Sequence, residues 1–597
     1  MNSINKDNTT SLRGQVVHVN DDNQSITISH NESLYGLQVN EVFKDSFGHI
    51  VSLYRASDTI IQSADINISL VNININQNEI EFSEKLGSYI ILEPNWIINV
   101  TALTEFDFCE RSLFNNRFSI RSQNEYMLMG SIVHEVFEDI MTGMSSSKED
   151  LFKVLQKKLK DTIKTKIFDF ALLDIDIDKL LPTIKEHLNA LYLYIKNHKN
   201  YYHEKEILTE HYIIDTSLGL KGKIDSIIIN SESMTAIELK TGKSWGGKAK
   251  SGHAFQAQAY SLLLENKYKD KTIQSPVIIY SGDHQYYNKE LTPFPELGIM
   301  TDFNYKTKAH VVSLRNRLVV ADFLFKLEYE KNNKKKCEKC FQSSMCQTIN
   351  HLEPIKDSNN EPLYAISANP FSQTDQTFFK EYNQYLTEEC ALIKDQIGDY
   401  FSKSIEDKIE MGKCLEINKF NLTKEKNIQI LCNNQSELRE QDRCLISDEK
   451  GPVQGECLEA MVSSVEENSI TLKVRRELRF DPKWIDSIGS EVMFERNYPS
   501  LTKLLQTESL GFLKKILVDN KIPVDNKLKD FKDIDTGFEL NEVQNKAIQS
   551  ALGLKQLLLI QGPPGTGKTI TIAKIVREMH NQGKRILLSC FTHRAID

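Results

Sequence analysis

A chain of 597 residues is too long for one hydrophobic core and is expected to divide into several domains. With 26% charged and 40% hydrophobic residues it is neither a disordered nor a fibrous chain, and its net charge of -9 excludes a globally basic nucleic-acid binder. No apolar run is long enough to span a membrane and the start M-N-S-I-N-K-D-N-T-T has no apolar signal region, so an intracellular, membrane-free location is expected, with the ten cysteines in metal or structural roles.

Residues up to about Ser11 are expected to be disordered. From Leu12 to Glu93 short β-prone runs alternate with polar turns (G-Q-V-V-H-V-N, Q-S-I-T-I-S, I-V-S-L-Y-R, I-N-I-S-L-V-N-I-N-I, Y-I-I-L-E). This spacing predicts a small barrel over 12–95, of the OB-like kind that often serves single-stranded nucleic acid. A plain packing module would satisfy the same pattern. The stretch T-A-L-T-E-F-D-F-C-E-R-S-L-F predicts a helix opening on a Thr cap, with Cys109 inside it. In the next helix Met129, Val133, Val136, Phe137 and Ile140 form one apolar stripe, and His134 lies beside it. Helices with basic faces follow (Lys157, Lys158, Lys160, Lys164, Lys166), better read as solvated surface than as a nucleic-acid groove.

Residues 210–260 predict three strands and a helix. The first strand ends near Asp215, the second is Leu218 to Ile229 and the third is Thr235 to Lys240. Alternation puts Glu238 and Lys240 on one face and Leu239 in the core, with Asp225 on the neighbouring strand. Two carboxylates suit a hard divalent cation such as magnesium or manganese, able to activate water at a phosphodiester, and Lys240 can neutralise developing charge. Lys221, Lys223, Lys243, Lys248 and Lys250 are candidates for phosphate contacts.

Cys337, Cys340 and Cys346 form C-x2-C-x5-C, three thiolates that need a fourth ligand. His351 would complete a zinc site. From 353 to 540 a helical stalk precedes a second small β-barrel. Then Q-G-P-P-G-T-G-K-T follows the predicted strand L-L-L-I and opens a predicted helix. This is a phosphate-binding loop for ATP: Gly562, Pro563, Pro564, Gly565, Thr566 and Gly567 wrap the phosphates, Lys568 reaches the β- and γ-phosphates and Thr569 holds magnesium. A further strand, I-L-L-S-C, is predicted before F-T-H-R-A-I-D.

The ordered set G-K-I-D, I-E-L-K-T-G and Q-A-Q-A-Y resembles the PD-(D/E)xK nucleases of the RecB/AddB-like branch, without the proline of the family name. The resemblance makes Asp225, Glu238 and Lys240 catalytic, Gln256 and Tyr260 the QxxxY pair that meets DNA, and His134, four after Gly130, a metal ligand beside Asp225 and Glu238. It also implies a fourth cluster cysteine in F-D-F-C-E-R, so that Cys109, Cys337, Cys340 and Cys346 hold a 4Fe–4S cluster. Through Gln544, L-N-E-V-Q-N-K-A-I resembles the adenine-reading Q motif of superfamily-one helicases.

The whole order resembles the DNA replication ATP-dependent helicase/nuclease family of Okazaki-flap and end-resection type. The expected architecture is multidomain, α/β and β: OB-like barrel (12–95), nuclease with Fe–S cluster (96–352), stalk and barrel (353–540) and the start of a RecA-like domain (541–597). The resemblance implies cleavage of single-stranded or flapped DNA, a 5′-to-3′ motor and a single-strand-binding protein as partner. It implies a nuclear location in a eukaryote and a cytoplasmic one in a bacterium. The sequence is expected to be the front part of a longer protein, with little ATP turnover of its own. Two rivals are an RNA-directed helicase with a degenerate nuclease and a non-enzymatic Fe–S module that binds DNA.

Overall fold

The computed structural model describes the chain apart from residues 1–9, 40–42, 58–65, 77–78, 120–122, 145–150, 199–204, 287–297, 325–336, 339, 355–368, 423–426, 435, 437, 467, 475–477, 488–495, 522–539, 554–556 and 591–597. The first nine residues and F-T-H-R-A-I-D, both subjects of expectation above, lie outside the described residues. The chain forms two compact units, residues 1–506 and 507–597. Among the described residues no helix is long and apolar enough to cross a membrane.

The first unit opens with β1 (Thr10–Asn20), β2 (Ser25–His30), β3 (Ser33–Gln38), helix α1 (Lys44–Ser57), β4 (Asn67–Asn76), β5 (Glu79–Glu81) and β6 (Tyr89–Leu92). Early in its length β1 pairs with β4, and later with β2, so the ladder closes as β1-β2-β3-β5-β4-β1 with β6 added on β4. Gly14 sits where β1 passes between its partners; a Cβ there would lie 2.4 Å from the Ser29 carbonyl oxygen. Alternating residues such as Ile26, Ile28, Ile68 and Leu70 fill the barrel. The run I-V-S-L-Y-R, expected to be β, lies instead in α1, where Phe47, Ile50 and Leu53 at helical spacing pack against the barrel.

Next come β7 (Ile98–Asn99), α2 (Val100–Phe108), α3 (Glu110–Phe118), α4 (Glu125–Met144), α5 (Leu151–Thr165) and α6 (Ile177–Asn197). They are followed by β8 (Glu206–Asp215), β9 (Leu220–Ile229), β10 (Ser233–Lys240), α7 (Ser251–Lys267), β11 (Thr272–Ile273), β12 (Val277–Tyr280), β13 (Gly298–Met300) and α8 (Tyr305–Leu324). The sheet runs β13-β12-β10-β9-β7, with β8 also on β9 and β11 on β10. Its two faces carry separate cores. Ile227 and Ala236 pack with α2, α7 and α8, whereas Ile228, Ile237 and Leu239 pack with α4 and α6. Helices therefore cover both faces, as near-continuous apolar strands require. Arg315 of α8 is fully buried and donates to the carbonyls of Glu93 (2.7 Å) and Trp96 (2.9 Å), fastening the barrel's exit to this sheet.

After α9 (Ser343–Leu352) and the long helix α10 (Gln373–Ser402) comes a second antiparallel sheet. It comprises β14 (Cys414–Glu416), β15 (Lys419–Leu422), β16 (Asn427–Leu431), β17 (Arg443–Ser447), β18 (Cys457–Val465), β19 (Ser469–Val474) and β20 (Trp484–Ser487), in the order β14-β20-β17-β18-β19-β16-β15. Only Ile417 and Asn418 separate β14 from β15, and they bond to Lys483 and Leu431 on the two flanking sides. One run of chain thus supplies both ends of the sheet and closes it. Helix α11 (Asn497–Gln506) ends the unit.

The second unit contains α12 (Glu542–Gly553) and α13 (Lys568–Asn581). Here two expectations fail: neither L-L-L-I (557–560) nor I-L-L-S-C (586–590) forms a strand, and Leu559 and Leu587 are 83% and 92% exposed. A strand exists only through a ladder partner, and among the described residues of this unit neither run has one.

Candidate metal centre and nuclease site

The site forms where β9 and β10 part. Their antiparallel register pairs Ala236 with Ile227 and Ile237 with Ser226; one step further it sets Glu238 opposite Asp225. At that point the Asp225 side chain replaces a backbone acceptor, its Oδ2 taking the Leu239 N–H at 2.8 Å. On its other edge β10 stays paired with β12 through Glu238, Leu239 and Lys240. Leu239 is fully buried on the α4 side, so Glu238 and Lys240 take the opposite face, where α7 lies.

Helix α4 brings in the histidine. Asn124 Oδ1 accepts the Met127 N–H at 2.9 Å at its start, and Leu128, Met129, Ile132, Val133, Val136, Phe137, Ile140 and Met141 form its buried stripe. On the flank of that stripe His134 Nδ1 lies 3.5 Å from Asp225 Oδ1. One turn later stands Glu138, 4% exposed, which sequence reasoning missed. Each of His134, Glu138 and Asp225 offers a ligand atom within 4.8 Å of the others. Opposite ligands of one magnesium stand about 4.2 Å apart, so this set fits a hard divalent cation after a small closure. Glu238 adds to the fit: it is 3% exposed, and its Oε2 is buried with no hydrogen-bond partner among the described residues. A buried carboxylate oxygen left without a donor is costly unless a cation or proton meets it.

The charges are strongly coupled. Burial, then the neighbouring Asp225 carboxylate, pushes Glu238 up to about 7. For Asp225 burial acts upward, but the charge and hydrogen bond of His134 outweigh it and hold the carboxyl below its ordinary value. Burial opposes protonation of His134, and Asp225 overcomes it and raises the imidazole. Lys240 likewise ends up raised, burial being outweighed by Glu238 and Asp225, and keeps its charge. Its ammonium donates to Glu238 Oε1 at 2.7 Å and to Gln256 Oε1 at 2.8 Å, and Gln256 donates to the Tyr260 hydroxyl at 3.3 Å. The QxxxY pair therefore stands behind Lys240, and Tyr260 is only 3% exposed. Gly222, the glycine of G-K-I-D, is required by that packing: a Cβ would lie 2.6 Å from the Tyr260 ring.

Cys109 does not lie inside a helix, and the helix does not open on Thr101. Asn99 caps α2 by accepting the Thr101 N–H, and Cys109 breaks the run with extended backbone (φ -161°, ψ 119°), ending α2 and starting α3. The break exposes the thiol to the segment carrying the other cysteines. Cys337 and Cys340 share a turn (Cys340 N–H to Cys337 O, 3.1 Å), and Cys346 is in α9. Burial raises the Cys337 thiol, and Cys109, Cys346 and Cys340 raise it further, so all four lie within electrostatic range. Among the described residues the sulfurs do not make a group as tight as that of His134, with all ligand atoms within 4.8 Å.

In the second unit Gly565 (φ 81°) and Gly567 (φ 75°) adopt backbone that favours glycine, and α13 begins at Lys568. Gln544 Nε2 donates to the Thr566 carbonyl at 3.0 Å, so the glutamine of α12 is seated on the loop. Lys568 donates to the loop carbonyls of Gly562 and Pro563. Pro564 and Thr569 are exposed on the same loop.

Residues 8–229 match the family model described as DNA replication factor Dna2, and residues 539–597 match an AAA domain model. The chain is 24% identical to the DNA replication ATP-dependent helicase/nuclease DNA2 of Saccharomyces cerevisiae over 85% of its own length and 40% of the relative's. For the human protein of the same description identity is 22%, over 86% of this chain and 54% of the relative. Over most of its length the chain is similar to these Dna2 helicase/nucleases. It spans about half the length of these relatives. Its last part is also 44% identical over 59 residues to the DNA polymerase alpha-associated DNA helicase A of Schizosaccharomyces pombe, covering 10% of this chain and 9% of that one. The match to the Dna2 family model ends at β9, so Glu238, Lys240, Gln256 and Tyr260 lie beyond it.

Proposed function

We propose that this chain is the nuclease-bearing part of an intracellular DNA replication or repair enzyme that cuts single-stranded or flapped DNA and couples cutting to an ATP-driven helicase. The observation that carries this reading is the set His134, Asp225, Glu238 and Lys240 at the parting of β9 and β10, with both carboxylates buried. His134, Glu138, Asp225 and Glu238 would hold magnesium or manganese, which when bound supplies Lewis-acid stabilisation and an activated water. Lys240, fixed between Glu238 and Gln256, orients that water and neutralises charge on the phosphoryl oxygens. Water oxygen bonds to phosphorus, the phosphodiester P–O bond breaks, and the leaving alkoxide takes a proton.

In this reading the first barrel is OB-like, the middle region a PD-(D/E)xK nuclease and the last segment the start of a RecA-like domain. Cys109, Cys337, Cys340 and Cys346 hold a 4Fe–4S cluster that ties α3 to α9, and a single-strand-binding protein is a partner. The complete acid, acid and lysine set argues against a degenerate nuclease on an RNA motor.

The test is cleavage of an end-labelled oligodeoxynucleotide with manganese. The chain should cut single strands and spare intact duplex. Asp225→Ala and Glu238→Ala should abolish cutting and leave DNA binding in place, with Lys240→Ala nearly as severe. Wild-type rates in Glu238→Ala would refute the assignment.

A further inference from the structure

We infer that Trp245 is a base-stacking post for single-stranded DNA leaving or entering the cleavage site. The inference rests on the nuclease reading above and adds the element that grips the strand. Trp245 is 80% exposed, whereas Trp96 is 5% exposed and Trp484 is half-buried. Phe341 and Phe168 are as exposed, so exposure alone marks no site; the hairpin and the lysines around Trp245 set it apart.

The residue is held out by a built device. Trp245 and Lys248 exchange two backbone hydrogen bonds, N–H to O at 2.9 and 3.1 Å, across the turn Gly246-Gly247. Both glycines have positive φ (58° and 78°), the conformation of a tight two-residue hairpin. The Gly247 N–H donates to Ser244 Oγ at 3.3 Å, and the Ser244 N–H donates to the Asp283 carboxylate at 3.2 Å, tying the hairpin to the segment after β12. A turn this defined fixes the backbone that carries the indole.

Charge and place point to the occupant. Trp245 follows Lys240 by five residues, so the two Cα atoms are at most about 18 Å apart, a few nucleotides of single strand. Lys243, Lys248 and Lys250 are exposed around it. The Lys250 ammonium lies beside Gly242, 3.9 Å from where a Cβ would stand, and the Lys250 backbone N–H donates to the Tyr280 hydroxyl at 3.0 Å. Lysines for phosphates interleaved with an aromatic for a base are the pattern that grips single strands with little sequence preference. Duplex bases are already stacked and cannot offer a face to the indole.

The test uses tryptophan emission, since the chain has three tryptophans and one of them is exposed. The 597-residue protein is titrated with oligodeoxythymidylate in EDTA, so that nothing is cut. Emission should quench on binding. Trp245→Ala should remove the quenched component and weaken binding roughly 5- to 150-fold, and Trp245→Phe should restore most of the affinity without the signal. Unchanged affinity and unchanged quenching in Trp245→Ala would overturn the inference, and so would equal quenching by blunt duplex. Cleavage with manganese is measured alongside. A wild-type protein that cuts single strands while Trp245 stays silent sinks the inference alone. Quenching without cutting sinks the nuclease reading and leaves the post standing.

Discussion

Glu138 stands one turn beyond His134, flush with the apolar stripe of α4 and 4% exposed. Its carboxylate offers a ligand atom within 4.8 Å of those of His134 and Asp225. Glu138→Gln keeps the shape and removes the charge. It should weaken manganese binding in the absence of DNA by roughly 10- to 100-fold, read by calorimetry or by loss of the free manganese spectrum. Equal affinity would remove Glu138 from the ligand set. The sequence H-E-V-F-E held a signal for it, because a carboxylate four residues after a candidate ligand shares its face. Glu135, next to His134 in sequence, falls on another face, so helical spacing alone could have singled out Glu138. Glu238 and Lys240 were easier to read because strand alternation is a two-state choice, and the buried Leu239 between them fixes it. Gly222 was not legible: its reason is the Tyr260 ring from a helix two elements later.

At the scale of elements, local pattern served well wherever an element makes its own case. The apolar columns of α4 and the alternation in β1 to β4 are fixed by burial on one face. The break at Cys109 was hidden, because F-D-F-C-E-R has no proline or glycine and reads as a continuous helix. The extended backbone there turns the thiol from a helix residue into the end of a corner, facing the turn of Cys337 and Cys340. Spacing alone also gave no route from that turn to Cys109; that pairing came through family resemblance. If the four thiolates bind a polynuclear core, protein purified without oxygen should be brown and contain iron and acid-labile sulfide. Cys109→Ala should lose the iron and free α3 from α9, seen as faster amide exchange in both helices. Zinc in place of iron would show that a single ion is held.

For the whole molecule, the two units differ in how far their own residues complete them. In residues 1–506 each sheet has its ladder, and the candidate metal site draws on α4, β9, β10 and α7 at once. In residues 507–597 the phosphate loop is shaped by Gly565, Gly567 and Gln544, yet the runs on either side of its helix lie exposed and unpaired among the described residues. The sequence made both runs look like strands because they are apolar and β-prone; what decides a strand is a partner, and composition does not supply one. A loop that cradles phosphates needs a rigid strand beneath it to hold its N–H groups in place, and without that support binding must pay for ordering the loop. Lys568 is meanwhile satisfied by the loop's own carbonyls, which a nucleotide would have to displace. The 597-residue polypeptide should therefore bind a fluorescent ATP analogue weakly and show no DNA-stimulated hydrolysis, while Lys568→Ala leaves single-strand cleavage unchanged. Robust turnover that vanishes in Lys568→Ala would mean that the loop is already competent and that the exposed runs find their partners once nucleotide is bound.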